Sequence, residues 1–227
     1  MTRRAASVLR TAALWAAAAS VSACISLGPP TPPARYELQA SLGGTPARGD
    51  GPTLTITPPT AAPGFESPRM IYVKRPHELQ AFARSEWVDA PARMLGPLLV
   101  RALGRSGAFE AVTDAGSGAD AELRLETELV RLQHEFTARP SRVRLTLRVQ
   151  LSDRARHVLG VREIEAIEEA PSEDPYGGVV AANRAVQEAL EGVVSFCTER
   201  AAEREARPSY PLQPPARRST RSGAWLP

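Results

Sequence analysis

The 227-residue sequence contains two cysteine thiols, and their neighbours predict different chemistry for each. Cys24 ends the segment Val21-Ser22-Ala23-Cys24, in which one aliphatic and two small residues precede the thiol. Small residues suit a peptidase that grips an extended segment in shallow pockets. Cys197 stands on the apolar side of a predicted helix, where a buried, inert thiol is favoured over a reactive one and over an intermolecular disulfide.

The other reactive side chains form no catalytic or metal-binding motif. His77, His134 and His157 are far apart in the sequence and lack the spacing of metal ligands. The segments 104–107 and 116–118 resemble G-x-S-x-G only in passing and are better explained as turns. Neither a phosphate loop nor a dinucleotide fingerprint occurs. We therefore expect no catalytic residue, no cofactor and no metal site.

An acidic cluster is the remaining candidate for a ligand site. Its members are Glu165, Glu168, Glu169, Glu173 and Asp174. A solvated loop is the favoured interpretation, and weak calcium binding is the alternative, because calcium prefers carboxylate oxygens.

The N-terminus has the charge pattern of an export signal. Three arginines within the first ten residues precede an Ala-rich stretch, and no further charge occurs before Arg35. A basic leading region, a short apolar region and small residues at a cleavage point are typical of secretory signals. We predict a signal over residues 1–23, with cleavage between Ala23 and Cys24.

Two alternatives stay open for this segment. Residues 11–28 approach the ~20 apolar residues of a spanning helix, although Ala and Ser dominate them and Gly28-Pro29-Pro30 ends the stretch. The second alternative is an ordinary secretory signal in which the cysteine has no role.

The run Val21–Cys24 resembles the lipobox of bacterial lipoproteins. The resemblance implies that the Cys24 thiol takes a diacylglyceryl group, that cleavage follows Ala23, and that the new amino group is acylated. Several acyl chains together hold a protein on a bilayer, whereas one chain binds marginally. Ile25, in place of aspartate after the cysteine, resembles an outer-membrane address.

The charge balance excludes a nucleic-acid partner. The chain has 28 Lys and Arg against 25 Asp and Glu, and three of the arginines leave with the signal. The mature chain is then without net charge, whereas a nucleic-acid-binding domain needs a basic face.

Composition divides the mature chain into three segments. Residues 24–34 are proline-rich and predict an extended tether between lipid and domain. Residues 35–207 predict one domain, and residues 208–227, rich in Pro, Ser and Arg, predict a disordered tail.

Alternating apolar and polar residues predict seven strands. The segment Gln80–Val88 suits a strand or a short helix, and we favour a strand that pairs with 69–74. Residues 53–57 predict a half-buried strand. The predicted strands cover 36–38, 53–57, 69–74, 80–88, 123–129, 142–151 and 159–168.

One of these strands carries a row of cations. Arg142, Arg144 and Arg148 alternate with apolar residues from Val143 to Leu151. We interpret the row as a solvated surface rather than a binding patch, because carboxylates can face it from a neighbouring strand. The carboxylates expected there are Glu122, Glu126 and Glu128.

Two helices complete the predicted fold. The first has Asp89 as its N-cap, and Pro97 inside it means that the helix either kinks there or begins near Gly96. The second begins near Tyr176, and its extension over 198–207 alternates acids and bases and should project into solvent. Its apolar face comprises Val179, Asn183, Val186, Leu190, Val193, Val194 and Cys197. The result is an α+β two-layer sandwich, a mostly antiparallel sheet with two helices packed on one face.

The order of these segments resembles the ABC-type transport auxiliary lipoprotein component family, the PqiC-like family linked to MCE proteins. The individual motifs are short, and their order over about residues 24–197 carries the resemblance. The matching segments are the lipobox, the proline-rich tether, Tyr36-x-Leu38, Leu54–Pro58, Met70–Lys74, Trp87–Pro91, Met94–Phe109 and Val179–Leu190.

The resemblance implies a non-enzymatic part of a system that moves lipids or organic solvents across the Gram-negative envelope. Its implied partners are an MCE-domain protein, an ABC permease and an ATPase, and a homo-oligomer is compatible with it. Only Cys24 carries over as a functional residue. The alternative is a free-standing envelope lipoprotein with a structural or small-ligand-binding role. A lipid-anchored hydrolase would need a nucleophile–base pair, which no sequence motif supplies.

The lipobox interpretation predicts the behaviour of the Cys24→Ala variant. Without the thiol there is no acceptor for the diacylglyceryl group, so the variant should carry no acyl chain and keep its signal. Metabolic labelling with an alkyne-tagged fatty acid measures this directly. Equal label in the variant and the parent chain would contradict the interpretation.

Overall fold

The computed structural model describes residues 32–41, 49–117 and 120–206. The predicted signal with Ala23 and Cys24, most of the tether and the tail over 208–227 lie outside these residues. In the described part of the chain there are nine strands, two α-helices and one short 3-10 turn. The α+β composition predicted from the sequence is confirmed.

The strands and helices are numbered here in chain order. The strands are β1 Ala34–Tyr36, β2 Leu54–Ile56, β3 Thr60–Ala61, β4 Arg69–Val73, β5 Gln80–Trp87, β6 Val112–Asp114, β7 Leu123–Glu135, β8 Arg142–Asp153 and β9 Val158–Glu169. The helices are α1 Pro91–Arg105 and α2 Pro175–Ala206. Six of the seven predicted strands coincide with observed ones, whereas the predicted strand 36–38 shares only Tyr36 with β1. Strand β5 pairs with β4 as expected.

The longest strand, β7, organises the sheet. One of its edges pairs with β8 over nearly the whole strand. The other edge pairs with three short strands in turn. Strand β2 lies beside residues 123–125, β3 beside 128–129 and β4 beside 133–135. Pro58 and Pro59 separate β2 from β3, since proline has no N–H to donate to a ladder.

The sheet is mixed, so the prediction of a mostly antiparallel sheet is wrong. Strands β2, β3 and β4 run parallel to β7, while β8 pairs antiparallel with both β7 and β9. Alternation along a strand shows which residues face the core and says nothing about the direction of the neighbouring strand. Parallel pairing needs a crossover connection, and the connection from β4 to β7 contains β5 and α1.

Strand β2 also differs from its half-buried prediction. All three of its residues are buried, including Thr55 at 5% exposure. The reason is position, because β2 lies between β6 and β7 in the sheet.

Helix α1 begins one residue later than its predicted cap implies. The capping position is Ala90, so the assignment of Asp89 as N-cap is wrong. The Asp89 carboxylate instead accepts the Ala90 N–H at 2.7 Å and pairs with Arg93. The helix runs continuously through Pro97, which lies on its exposed side, where water can solvate the carbonyl that proline leaves without a helical partner.

Helix α2 packs closely on the sheet because small residues face it. Its buried positions include Ala181, Ala182, Ala185 and Ala189. Of the predicted apolar face, Asn183 and Val194 are half-buried and the others are buried. A Cβ added to Gly178 would lie 2.5 Å from Nδ1 of His134 on β7. Hydrophobic periodicity does not reveal this alanine and glycine surface, since small residues have little hydrophobic signal of their own.

The C-terminal extension of α2 does not project into solvent as predicted. Ala201 is buried at 4% exposure, and the Arg204 guanidinium lies 3.4 Å from the Glu122 carboxylate. Farther back on the helix, Arg200 packs against the backbone of Gly160 on β9. Long charged side chains can cover apolar surface with their aliphatic stems, so an alternating charge pattern does not distinguish a packed helix from a solvated one.

Two glycine substitutions test this packing against helix propensity. Alanine in place of a helical glycine normally stabilises a protein by roughly 0.5–1 kcal/mol. Gly104→Ala in α1 should show this gain, because its new Cβ meets only Val112 at 4.0 Å. Gly178→Ala should instead destabilise by about 1–3 kcal/mol, since the His134 ring is buried and cannot move away. Urea unfolding followed by circular dichroism measures both, and equal stability of the two variants would refute the close contact.

Candidate functional site

The predicted lipidation site, Ala23 and Cys24, lies outside the described residues. The second cysteine, Cys197, is fully buried. Burial raises the pKa of its thiol to about 12, with a small opposing effect from Arg162. Such a thiol stays protonated near neutral pH. The prediction that Cys197 is buried is confirmed.

The three histidines do not meet. His77 lies in the loop before β5, His134 is on β7, and His157 is in the turn before β9. Among the residues that the structure describes, no three His, Cys, Asp or Glu side chains are grouped as metal ligands would be. Nor does any described helix have the length and apolar character needed to cross a membrane.

The acidic cluster is dispersed over two elements. Glu165 and Glu168 belong to β9, not to a loop as predicted, and pair with Arg144 and Arg184. Asp174 precedes α2 and accepts the Gly177 N–H at 2.8 Å. This hydrogen bond is the largest cause that lowers the Asp174 pKa. The carboxylates of Glu165, Glu168 and Asp174 thus have separate partners and do not converge on one site.

The structure contains a serine–histidine pair that sequence analysis missed. The Nε2 atom of His134 lies 2.8 Å from Oγ of Ser141. The side chains come together because β7 and β8 pair antiparallel, and the spacing of seven residues matches no known catalytic motif. Only the hairpin register could have revealed the contact.

This pair has the geometry of a structural hydrogen bond. Ser141 is completely buried and His134 is 4% exposed, so no substrate reaches the hydroxyl. Burial lowers the His134 pKa, against a raising effect from Glu173 and Asp174. The adjoining cavity is about 10 Å³ and apolar, which is barely the volume of one water molecule. The pair therefore links the two sides of the β7–β8 hairpin, with the His134 ring against Gly178 of α2.

The arginine row on β8 is neutralised within the sheet. Arg144 lies 2.8 Å from both Glu135 and Glu165, and Arg148 lies 2.9 Å from Glu128. Burial acts to raise the Glu135 pKa, but hydrogen bonds led by the one from Arg144 outweigh it and hold the pKa below its ordinary value. Of the three expected carboxylates only Glu128 pairs with the row, and Glu135 and Glu165 supply the other partners. The expectation of opposite charges on the neighbouring strands is confirmed, whereas the Arg144 side chain is only 16% exposed and is not part of a solvated surface.

Two of the three carboxylates expected beside that row have different partners, and Glu126 accepts a hydrogen bond from Gln150 at 3.3 Å. Glu122 pairs with Arg204 of α2 instead of a strand arginine. It precedes the first residue of β7, where the helix end reaches the sheet, so helix packing and not strand register determines its partner.

A groove of about 640 Å³ opens where the sheet continues past the first residues of α2. Three aromatic side chains, Tyr72, Phe82 and Phe136, line it and contact one another, with ring centroids 4.5–6.3 Å apart. Its charged lining residues are Lys74, Arg139 and Glu173. We call this the aromatic groove. Its volume lies in the range of small-ligand sites.

A second groove of about 660 Å³ runs beside the exposed side of α1. Its walls include Pro58, Pro59, Pro97 and Val100, with Arg101 at its margin. It is similar in volume to the aromatic groove but contains no aromatic ring.

Comparisons with known proteins agree with the arrangement of elements. The chain superposes on a crystal structure of a protein from Xanthomonas campestris with a TM-score of 0.68 and 20% identity, covering 76% of this chain and 99% of the other. An uncharacterised protein of known structure aligns with a TM-score of 0.58 and 9% identity, covering 74% and 99%. At these identities the likeness is one of fold. No curated protein matches the sequence.

A family model gives the more specific result. The model described as the ABC-type transport auxiliary lipoprotein component matches residues 36–194, from β1 into α2. The match covers most of the chain and nearly all of the described strands. The chain therefore belongs to the ABC-type transport auxiliary lipoprotein component family.

Proposed function

We propose that this protein is a non-catalytic, membrane-anchored auxiliary lipoprotein of an ABC/MCE-type system that moves lipids or organic solvents between the membranes of the envelope. The observation that carries the proposal is the family match over residues 36–194, combined with the Val21–Cys24 lipobox twelve residues before that match begins. The family match supports the role in a transport system, and the lipobox supports the membrane anchor.

The proposed anchor determines where the domain acts. Residues 24–34 include four prolines, and this composition favours an extended conformation of about 3.1 Å per residue. The domain would thus lie within a few nanometres of one bilayer. Such tethering raises its effective concentration for partners in the same envelope compartment. Ile25 supports attachment to the outer membrane, with the domain facing the periplasm.

The described residues suit a role in binding rather than in turnover. The Ser141–His134 pair is closed to substrates, and the arginine row is paired with carboxylates. Two concave surfaces are accessible, the aromatic groove and the groove beside α1. These surfaces support contact with an MCE-domain protein or with the permease and ATPase of the same system.

The proposal predicts which proteins are recovered with the lipidated chain. After mild crosslinking in intact envelopes, an MCE-domain protein or its permease should co-purify with the full-length protein. The purified protein should show no turnover of ester, phosphate or glycoside substrates. Mass spectrometry of the crosslinked species and a chromogenic substrate panel measure the two outcomes.

A soluble form separates the anchor from the fold. The Cys24→Ala chain, exported by an ordinary secretory signal, should fold normally, because the first strand of the described domain begins at Ala34, ten residues after Cys24. It should complement a deletion poorly, since tethering is lost. Full complementation by this form, with no envelope partner recovered, would favour a free-standing lipoprotein with a structural or small-ligand role.

A further inference from the structure

We propose that the aromatic groove binds an anionic amphiphile, a molecule with an alkyl chain and a phosphate or carboxylate head. The inference concerns a ligand of this chain and goes beyond the transport role proposed above, which assigns no ligand to the auxiliary component. It rests on the lining of the groove and on the charges at its mouth.

The apolar part of the site is a preformed aromatic surface. Tyr72 and Phe82 lie 4.5 Å apart between ring centroids, and Phe136 meets both rings edge-on at 6.1 and 6.3 Å. All three rings are half-buried, so each packs on the fold and keeps part of its surface open to the groove. Rigid rings of this kind bury a ligand's apolar surface at little cost in conformational entropy.

The fold explains why this surface is left uncovered. Helix α2 begins at Pro175, and Gly178 already lies over His134. Phe136 is two residues beyond His134, past the start of the helix, and its ring stacks on the His134 ring at 4.1 Å. The apolar face of the sheet thus extends farther than the helix that covers it.

Two cations define the head-group end. Lys74 and Arg139 are both exposed and line the groove. Lys74 lies 5.3 Å from the centre of the Tyr72 ring, and neither cation forms an ion pair with any residue in the described part of the chain. An anion placed between them would gain charge-assisted hydrogen bonds that no protein carboxylate supplies.

Glu173 is the one acidic residue that lines the groove. Its carboxylate accepts the backbone N–H of Ser141 at 2.8 Å, which holds it against the β7–β8 hairpin. The groove therefore keeps a positive balance, with two cations against one carboxylate. A neutral or cationic amphiphile would leave both cations without a partner.

The test is calorimetric titration of residues 24–227, produced without the signal and with Cys24→Ala, with dodecyl phosphate below its micelle concentration. Inorganic phosphate is the probe for the head group alone, and dodecyl maltoside has the same alkyl chain with an uncharged head group. We expect dodecyl phosphate to bind at least tenfold more tightly than either. Tight binding of inorganic phosphate would identify a simple anion site, and absence of dodecyl phosphate binding would overturn the proposal.

Variants locate the binding site. The Lys74→Ala and Arg139→Ala double variant should bind dodecyl phosphate about tenfold more weakly, the scale expected for losing two partly exposed charged contacts. Arg101→Ala, which removes an exposed cation from the groove beside α1, should change the affinity less than twofold. The reverse pattern would place the ligand beside α1 and refute the assignment.

A second variant tests the apolar wall without removing a charge. In the parent chain, dodecyl phosphate should bind more tightly than octyl phosphate, because each buried methylene adds to affinity. Phe136→Leu should reduce this dependence on chain length while leaving the affinity for inorganic phosphate unchanged. An unchanged dependence, with the fold intact by circular dichroism, would mean that the alkyl chain lies elsewhere. Because co-purification of envelope partners is measured separately, failure here leaves the proposed transport role untouched.

Discussion

The pairing of both edges of β7 is the constraint on which the rest of the structure depends. A strand in the middle of a sheet must satisfy its N–H and C=O groups on two sides, because unpaired buried polar groups are costly. Strand β8 meets this requirement along one edge with a hairpin partner of similar length. Along the other edge the chain uses β2, β3 and β4, each covering a separate part of β7.

The pairing of β7 also determines where the ion-paired row and the aromatic groove lie. A register shift between Leu129 and Arg131 on β7 changes which residues face the apolar side, so that His134 points toward α2 and Gln133 is opposite Arg144. Beyond His134 the sheet extends past the helix and leaves the aromatic groove. The ion-paired row and the groove are thus consequences of one strand's pairing.

The small residues of α2 are the second feature on which the structure depends. Buried alanines and Gly178 let the helix backbone approach the sheet closely enough to enclose the His134–Ser141 pair. Larger residues would hold the helix farther out. The same closeness keeps the serine from acting as a nucleophile, because no substrate can enter a space of about 10 Å³.

Much of this protein was predictable from local pattern. Alternation located the strands, as the arginine row of β8 shows, and helical spacing identified the buried residues Val186 and Leu190. The sequence by itself also determined the family resemblance, the candidate anchor at Cys24 and the absence of a catalytic motif. Tertiary structure alone decided the parallel pairing on β7, the burial of Ala201, the His134–Ser141 contact and the aromatic groove. The physical reason is the separation along the chain over which each feature is determined. Periodicity shows which side of its own helix or strand a residue faces. Strand direction, the distance of a helix from the sheet and the grooves depend on contacts between residues that are distant in the chain.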